Sequence, residues 1–107
     1  MKVVAFNGSA RKDGNTAILI RRVLQVLEAE GIKTELIQLA GKQIRGCNAC
    51  RTCYTTKNKR CAIEDDNVNK YIRKMLKADG IILGSPVYFS MMTPELKALM
   101  DRAFYVA

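Results

Sequence analysis

The sequence contains no histidine. Without one, no Cys/His zinc site, Ser-His triad or Cys-His nucleophile pair can be built. No apolar run approaches the ~18 residues that a membrane span requires. The opening stretch, MKVVAFNGSARKDG, carries a lysine but only a short apolar run, which is not the pattern of a signal peptide. A soluble, intracellular (cytoplasmic) protein is therefore expected. A reducing compartment disfavours structural disulfides, so cysteines there point to metal or redox chemistry. Internal repeats and low-complexity segments are also missing.

What is present is an ordinary globular balance. The 107 residues are 49% apolar and 26% charged, which suits one domain with a modest core. Eighteen basic residues against 10 acidic ones give a net charge of +8. The basic residues are spread over several segments, much as on solvated helix faces. No interleaving of basic and aromatic residues marks a surface for stacking bases, so nucleic acid is not the expected partner. The positive field suits an anionic cofactor.

Hydrophobic patterning gives the elements. Lys2 to Phe6, KVVAF, reads as a buried strand. A polar loop follows, and then a helix capped by Asn15 or Thr16, with Ile20, Val23, Leu24 and Leu27 on one face and Gly31 at its C′ position. Lys33 to Leu39 reads as a second strand. After the cysteine segment, Asp65 or Asp66 can cap a helix carrying Val68, Ile72, Met75 and Leu76. Ile81 to Gly84 is a short apolar strand. Thr93 at N-cap, Pro94 at N1 and Glu95 in the first turn announce a last helix, with Leu96, Leu99, Met100, Ala103 and Phe104 as its stripe. Alternation of this kind implies an α/β fold with a parallel sheet and helices on both faces. A flavodoxin-like order would place these strands 2-1-3, leave two more strands missing, and expose the third as an apolar edge.

Ligands in such sheets sit at the carboxyl ends of the strands. The first loop there, NGSARKDGNT, has the chemistry of a phosphate cradle. Ser9, Asn15 and Thr16 offer donors, Arg11 offers a bidentate fork, and a helix N-terminus adds free N–H groups. It is neither a Walker A loop nor G-x-G-x-x-G. A plain polar turn would look similar. In the loop after the third strand, Pro86 stiffens the chain. Tyr88 and Phe89 either stack on a planar ligand or pack beneath the last helix.

Together, FNGSARKDGNT, GCNACRTC and GSPVYFSMMTPELKALMDR resemble three successive signatures of the NAD(P)H-dependent FMN reductase family, most closely its iron–sulfur flavoprotein branch. The resemblance implies a flavodoxin-like three-layer sandwich that binds FMN. It covers the first half to two-thirds of a typical member, so residues 1–107 are expected to form one partial FMN-binding domain. By that resemblance Ser9, Arg11, Asn15 and Thr16 meet the flavin phosphate. Pro86, Val87, Tyr88 and Phe89 meet the ribityl chain and ring. The family also implies a homo-oligomer, dimer or tetramer, and NAD(P)H or a ferredoxin-like protein as electron donor.

All four cysteines, Cys47, Cys50, Cys53 and Cys61, fall in the segment 46–61. A Cys-x2-Cys-x2-Cys run with a fourth cysteine nearby suits a [4Fe–4S] cube, because a tight coil wraps three corners and a longer link reaches the fourth. Zinc usually takes two separate Cys-x2-Cys knuckles. Free thiols or a disulfide are the other possibility. Arg51, Lys57, Lys59 and Arg60 would offset thiolate charge. The sequence thus points to an FMN-dependent oxidoreductase with an iron–sulfur cluster. The alternatives are a cysteine-rich metal- or nucleic-acid-binding module, and an inert truncated piece of the flavoprotein.

Overall fold

The computed structural model describes residues 1–106; Ala107 lies outside the described residues. The elements in chain order are β1 (Lys2–Asn7), α1 (Asn15–Ala29), β2 (Lys33–Gln38), α2 (Thr52–Thr56), α3 (Val68–Lys77), β3 (Gly80–Gly84) and α4 (Pro94–Val106). The three strands form one parallel sheet in the order β2-β1-β3. This is the expected topology. Each parallel neighbour needs a crossover, and the helices supply it.

Strand alternation builds the three layers. Val3 and Ala5 face one side of the sheet, where Ile20 and Leu24 of α1 cover them. Val4 and Phe6 face the other, against Ile72 and Met75 of α3 and Leu96 and Leu99 of α4. β1 is buried on both faces, which explains its continuous apolar run. The Phe6 ring meets Tyr71 edge-on, with centroids 5.7 Å apart.

Several local expectations are corrected. Gly14, not Asn15 or Thr16, is the N-cap of α1, and no side chain caps that helix. Asn67 is the N-cap of α3, although Asp66 does accept the Val68 amide at 3.2 Å. Thr93 caps α4 as expected, its Oγ1 accepting the Leu96 amide at 3.3 Å. Gly31, at φ +82°, ends α1 in the left-handed conformation that glycine takes at C′. Val23, Leu76 and Phe104 are exposed, so each apolar stripe is narrower than the sequence suggests. α2 was not foreseen.

β3 is the edge strand expected from the order. Among the described residues it pairs only with β1. Ile81 remains 43% exposed, beside an apolar groove of about 130 Å³ lined by Ile72, Met75, Leu76, Phe104 and others.

Gly8 ties the sheet to α4. Its amide donates to the Gly84 carbonyl at 2.8 Å, and an added Cβ would stand 2.8 Å from the Leu96 Cβ and 3.0 Å from the Thr93 Oγ1. Gly8→Ala should therefore lower unfolding stability by about 1–3 kcal/mol in a urea titration. Gly46→Ala, whose Cβ would meet only the Asp101 Oδ2 at 3.9 Å, should stay within about 0.5 kcal/mol of the native chain.

Candidate functional site

The strand register places Asn7, Gln38 and Gly84 side by side. Three loops therefore leave the sheet at one level. Asn7 is buried and organises two of them: its Nδ2 donates to the Gln38 Oε1 at 2.8 Å, and its Oδ1 accepts the Ser9 amide at 3.0 Å. Ser9, also buried, accepts the Arg11 amide on its Oγ at 3.0 Å. The Ser9 side chain thus shapes the turn. Arg11 and Asn15 are exposed and Thr16 half-buried. Among the described residues no carboxylate pairs with Arg11. With no side-chain cap on α1, the amides of its first turn stay open. Open amides, a helix N-terminus and an unpaired guanidinium on one loop are the donor set a phosphate requires.

The loop after β3 is pinned at its base and free at its tip. The Ser85 hydroxyl donates to the Pro86 carbonyl at 2.7 Å and accepts the Thr93 amide at 3.0 Å. Tyr88 and Met91 exchange backbone hydrogen bonds of 2.7 and 3.1 Å. Phe89 (φ 48°) and Ser90 (φ 66°) form the left-handed turn between them. Val87 and Tyr88 are exposed, and Phe89 is 99% exposed. Neither ring packs beneath α4, which leaves both available above the strand ends.

All four cysteines are free thiols and line a single pocket, together with Arg51, Arg102 and Tyr105. The segment is held in an unusual shape. Ala49, Arg51, Lys57 and Lys59 all take positive φ, between 48° and 61°, and α2 within it buries nothing. Two sulfurs already have donors. The Ala49 amide approaches the Cys47 Sγ at 3.3 Å, and the Arg102 Nε approaches the Cys61 Sγ at 3.3 Å. The Thr52 side chain and backbone hold the Cys50 thiol below the usual thiol range. Even so, among the described residues no three cysteine, aspartate or glutamate side chains converge closely enough to hold one ion. The donor chemistry fits a metal–thiolate group, while the loop stands more open than a bound one would.

Arg102 and Asn69 were not among the residues singled out in the sequence. Arg102 lies on the buried face of α4 and is 1% exposed. Its Nη1 donates to the Arg45 carbonyl at 3.1 Å and to the Asp66 Oδ2, and its Nη2 to the Ile63 carbonyl at 2.9 Å and the Asp66 Oδ1 at 3.0 Å. With the Nε on Cys61, all five guanidinium hydrogens are used. Asn69 clamps the Cys61 backbone, accepting its amide at 2.8 Å and donating to its carbonyl at 2.9 Å. One signal was legible: an arginine inside the arc defined by Leu96, Leu99 and Ala103 cannot be buried without an acid, and Asp66 is at hand. Elsewhere, Glu35 bridges Lys74 (2.7 Å) and Lys2 (3.2 Å), and the Lys74 hydrogen bond holds its carboxyl below the usual range.

A doubly wound parallel sheet with its loops gathered at the strand ends is a flavodoxin-like fold. Within that class the chain belongs to the NADPH-dependent FMN reductase family, whose model matches residues 1–107. An iron–sulfur flavoprotein of Methanocaldococcus jannaschii is 48% identical over 103 residues, covering 96% of this chain and 52% of that protein. An iron–sulfur flavoprotein of Methanosarcina thermophila is 33% identical, again over 96% of this chain and 52% of its own length. The chain thus spans about half the length of these relatives. A solved NADH:FMN oxidoreductase in its apo form shares the fold with a TM-score of 0.67, at 20% identity over 94% of this chain and 49% of that one.

Asp66 gives the site a pH dependence. Burial alone would raise its pKa, but the Arg102 hydrogen bonds and the Val68 amide outweigh burial and hold the carboxyl below its ordinary value. A depressed pKa adds stability above the unfolded value of about 4, and that stability is lost as pH falls through the folded value. The urea midpoint should therefore drop as pH is lowered from ~5 toward ~3. Asp66→Asn should flatten that drop and cost about 3–5 kcal/mol at neutral pH, because it leaves the guanidinium buried without its counter-charge.

Proposed function

We propose that this chain forms the FMN-binding part of an iron–sulfur flavoprotein, a redox protein that moves electrons between a donor, FMN and a [4Fe–4S] cluster held by Cys47, Cys50, Cys53 and Cys61. The single observation that carries the reading is the thiol pocket. Four cysteines line it, two of the sulfurs have hydrogen-bond donors, and four left-handed residues strain the segment around it. Each such residue costs on the order of 1–3 kcal/mol and persists only where something over-determines it, such as a group the loop wraps. Hydrogen bonds to sulfur are a principal means of tuning clusters.

FMN supplies exchange between two-electron and one-electron chemistry, and a cluster passes single electrons. The protein's part is binding and orientation. Arg11 and the open first-turn amides of α1, with Asn15 and Thr16, would hold the phosphate. Ser9 would keep that loop turned. Pro86 and Val87 would border the ribityl chain, while Tyr88 and Phe89 would cover the ring. NAD(P)H or a ferredoxin-like protein is the proposed donor. The exposed tip at Val87–Phe89 supports a homo-oligomer, in which a second copy shields apolar surface.

Anaerobically purified protein should show flavin absorption with a broad iron–sulfur shoulder. A colourless protein carrying stoichiometric zinc would overturn the reading in favour of a metal-binding module. A colourless, metal-free protein that takes up neither FMN nor iron would favour an inert piece. Arg11→Ala should weaken FMN binding about 10- to 100-fold, as expected for loss of a charge-assisted hydrogen bond, followed by quenching of flavin fluorescence. Unchanged affinity would remove Arg11 from the site.

A further inference from the structure

Cys61 differs from the other three cysteines in how it is held. Its amide and carbonyl are clamped by Asn69 of α3, and its sulfur is met by Arg102 of α4. The hydrogen bonds around Cys47 and Cys50 come instead from within two residues of each cysteine. Cys61 is thus fixed to the core at three atoms, while Cys47 and Cys50 are tied to their own loop.

We propose that Arg102 is a positioning residue that fixes Cys61 as the rigid corner of the thiolate site, with the Cys47–Cys53 coil closing onto it. The argument begins with what burial demands. A guanidinium on the inner face of α4 is an expensive way to fill that space, since apolar side chains of similar volume often serve stability as well or better. What an apolar residue could not do is aim a donor at sulfur. The bidentate Asp66 pair and the carbonyls of Arg45 and Ile63 use four of the five donors and set the guanidinium plane. The remaining Nε–H is thereby directed at the Cys61 Sγ. Carbonyl contacts at Arg45 and Ile63 also grip the chain on either side of the four cysteines. Partners outside the ligand set that orient a ligand in this way govern both affinity and potential at metal sites.

The proposal rests on reading the cysteines as ligands, and two measurements separate its failure from the failure of that reading. The first uses the metal-free, reduced chain. The Arg102 Nε–H should give a slowly exchanging arginine side-chain resonance, identified by its disappearance in Arg102→Lys or, should that variant not fold, by the shift it undergoes in Asp66→Asn. Cys61→Ala should move the resonance and speed its exchange about tenfold or more, the consequence of losing one hydrogen bond to a charged group. Cys53→Ala should leave it in place. If Cys61→Ala leaves the Nε–H unmoved, the contact does not exist and the proposal is overturned, whatever the metal content.

The second measurement uses protein reconstituted anaerobically with Fe²⁺ and sulfide, then treated with ferricyanide. Ferricyanide takes one electron from the [4Fe–4S]²⁺ form, and one iron leaves as Fe²⁺ to give [3Fe–4S]⁺. Asn69→Ala and Arg102→Lys should yield at least about tenfold more of the three-iron paramagnetic signal than the native chain at equal oxidant, because the corner at Cys61 is no longer held. The midpoint potential of the Arg102→Lys protein should also be lower, since the N–H···S contact is lost. Native-like signal and potential in both variants would show that Arg102 serves only the fold. A native chain that takes up no iron would sink the cluster reading and leave the resonance to decide the contact.

Discussion

A buried ion pair between Arg102 and Asp66 holds the cysteine segment to the body of the domain. The segment contains a helix of five residues that buries nothing, and its backbone crosses into the left-handed region four times. Neither propensity nor packing would keep such a chain in one place. The guanidinium contacts Arg45 before the cysteines and Cys61, Ile63 and Asp66 at their end, so one side chain fixes where the excursion leaves and where it returns. A lysine could supply the charge but not five donors in one plane.

α4 then connects the two halves of the candidate site. Its first turn, at Thr93 and Leu96, packs against Gly8 and the base of the loop that follows β3. Its second half carries Arg102 and Tyr105, against which the cysteine segment rests, with the Tyr54 ring 5.4 Å from that of Tyr105. From Thr93 to Arg102 the helix rises about 14 Å. A rigid element of that length sets the spacing between the loops at the strand ends and the thiol pocket, independent of how the loops themselves move.

Much of this was readable in the sequence, and the failures have common causes. The parallel sheet followed from alternation, and the strand order from the flavodoxin-like pattern that such alternation fits. The Thr93-Pro94-Glu95 start of α4 was legible because capping chemistry there is local. At Gly14 it was not: a helix with no side-chain cap has no capping residue for the sequence to advertise. Val23, Leu76 and Phe104 fit helical periodicity but lie outside the narrow arc each helix presents to the sheet. For Tyr88 and Phe89 the sequence left open stacking on a ligand or packing in the core, and two left-handed residues turn the tip away from the core. Arg102 was not legible because its contact with Cys61 comes from a helix face 41 residues further along the chain.

That separation also bears on the order in which the parts become available. Cys61 and Arg102 lie 41 residues apart, with all four thiols on the earlier side. At a synthesis rate of ~5–20 residues per second, the thiols exist for roughly 2–8 s before the arginine that holds Cys61 is made. At the start of that interval β1 and β2, joined through α1, are already made and can pair. The nascent chain is then a half-formed sheet trailing an unclasped row of thiols, and the last turns of α4 convert that row into a pocket.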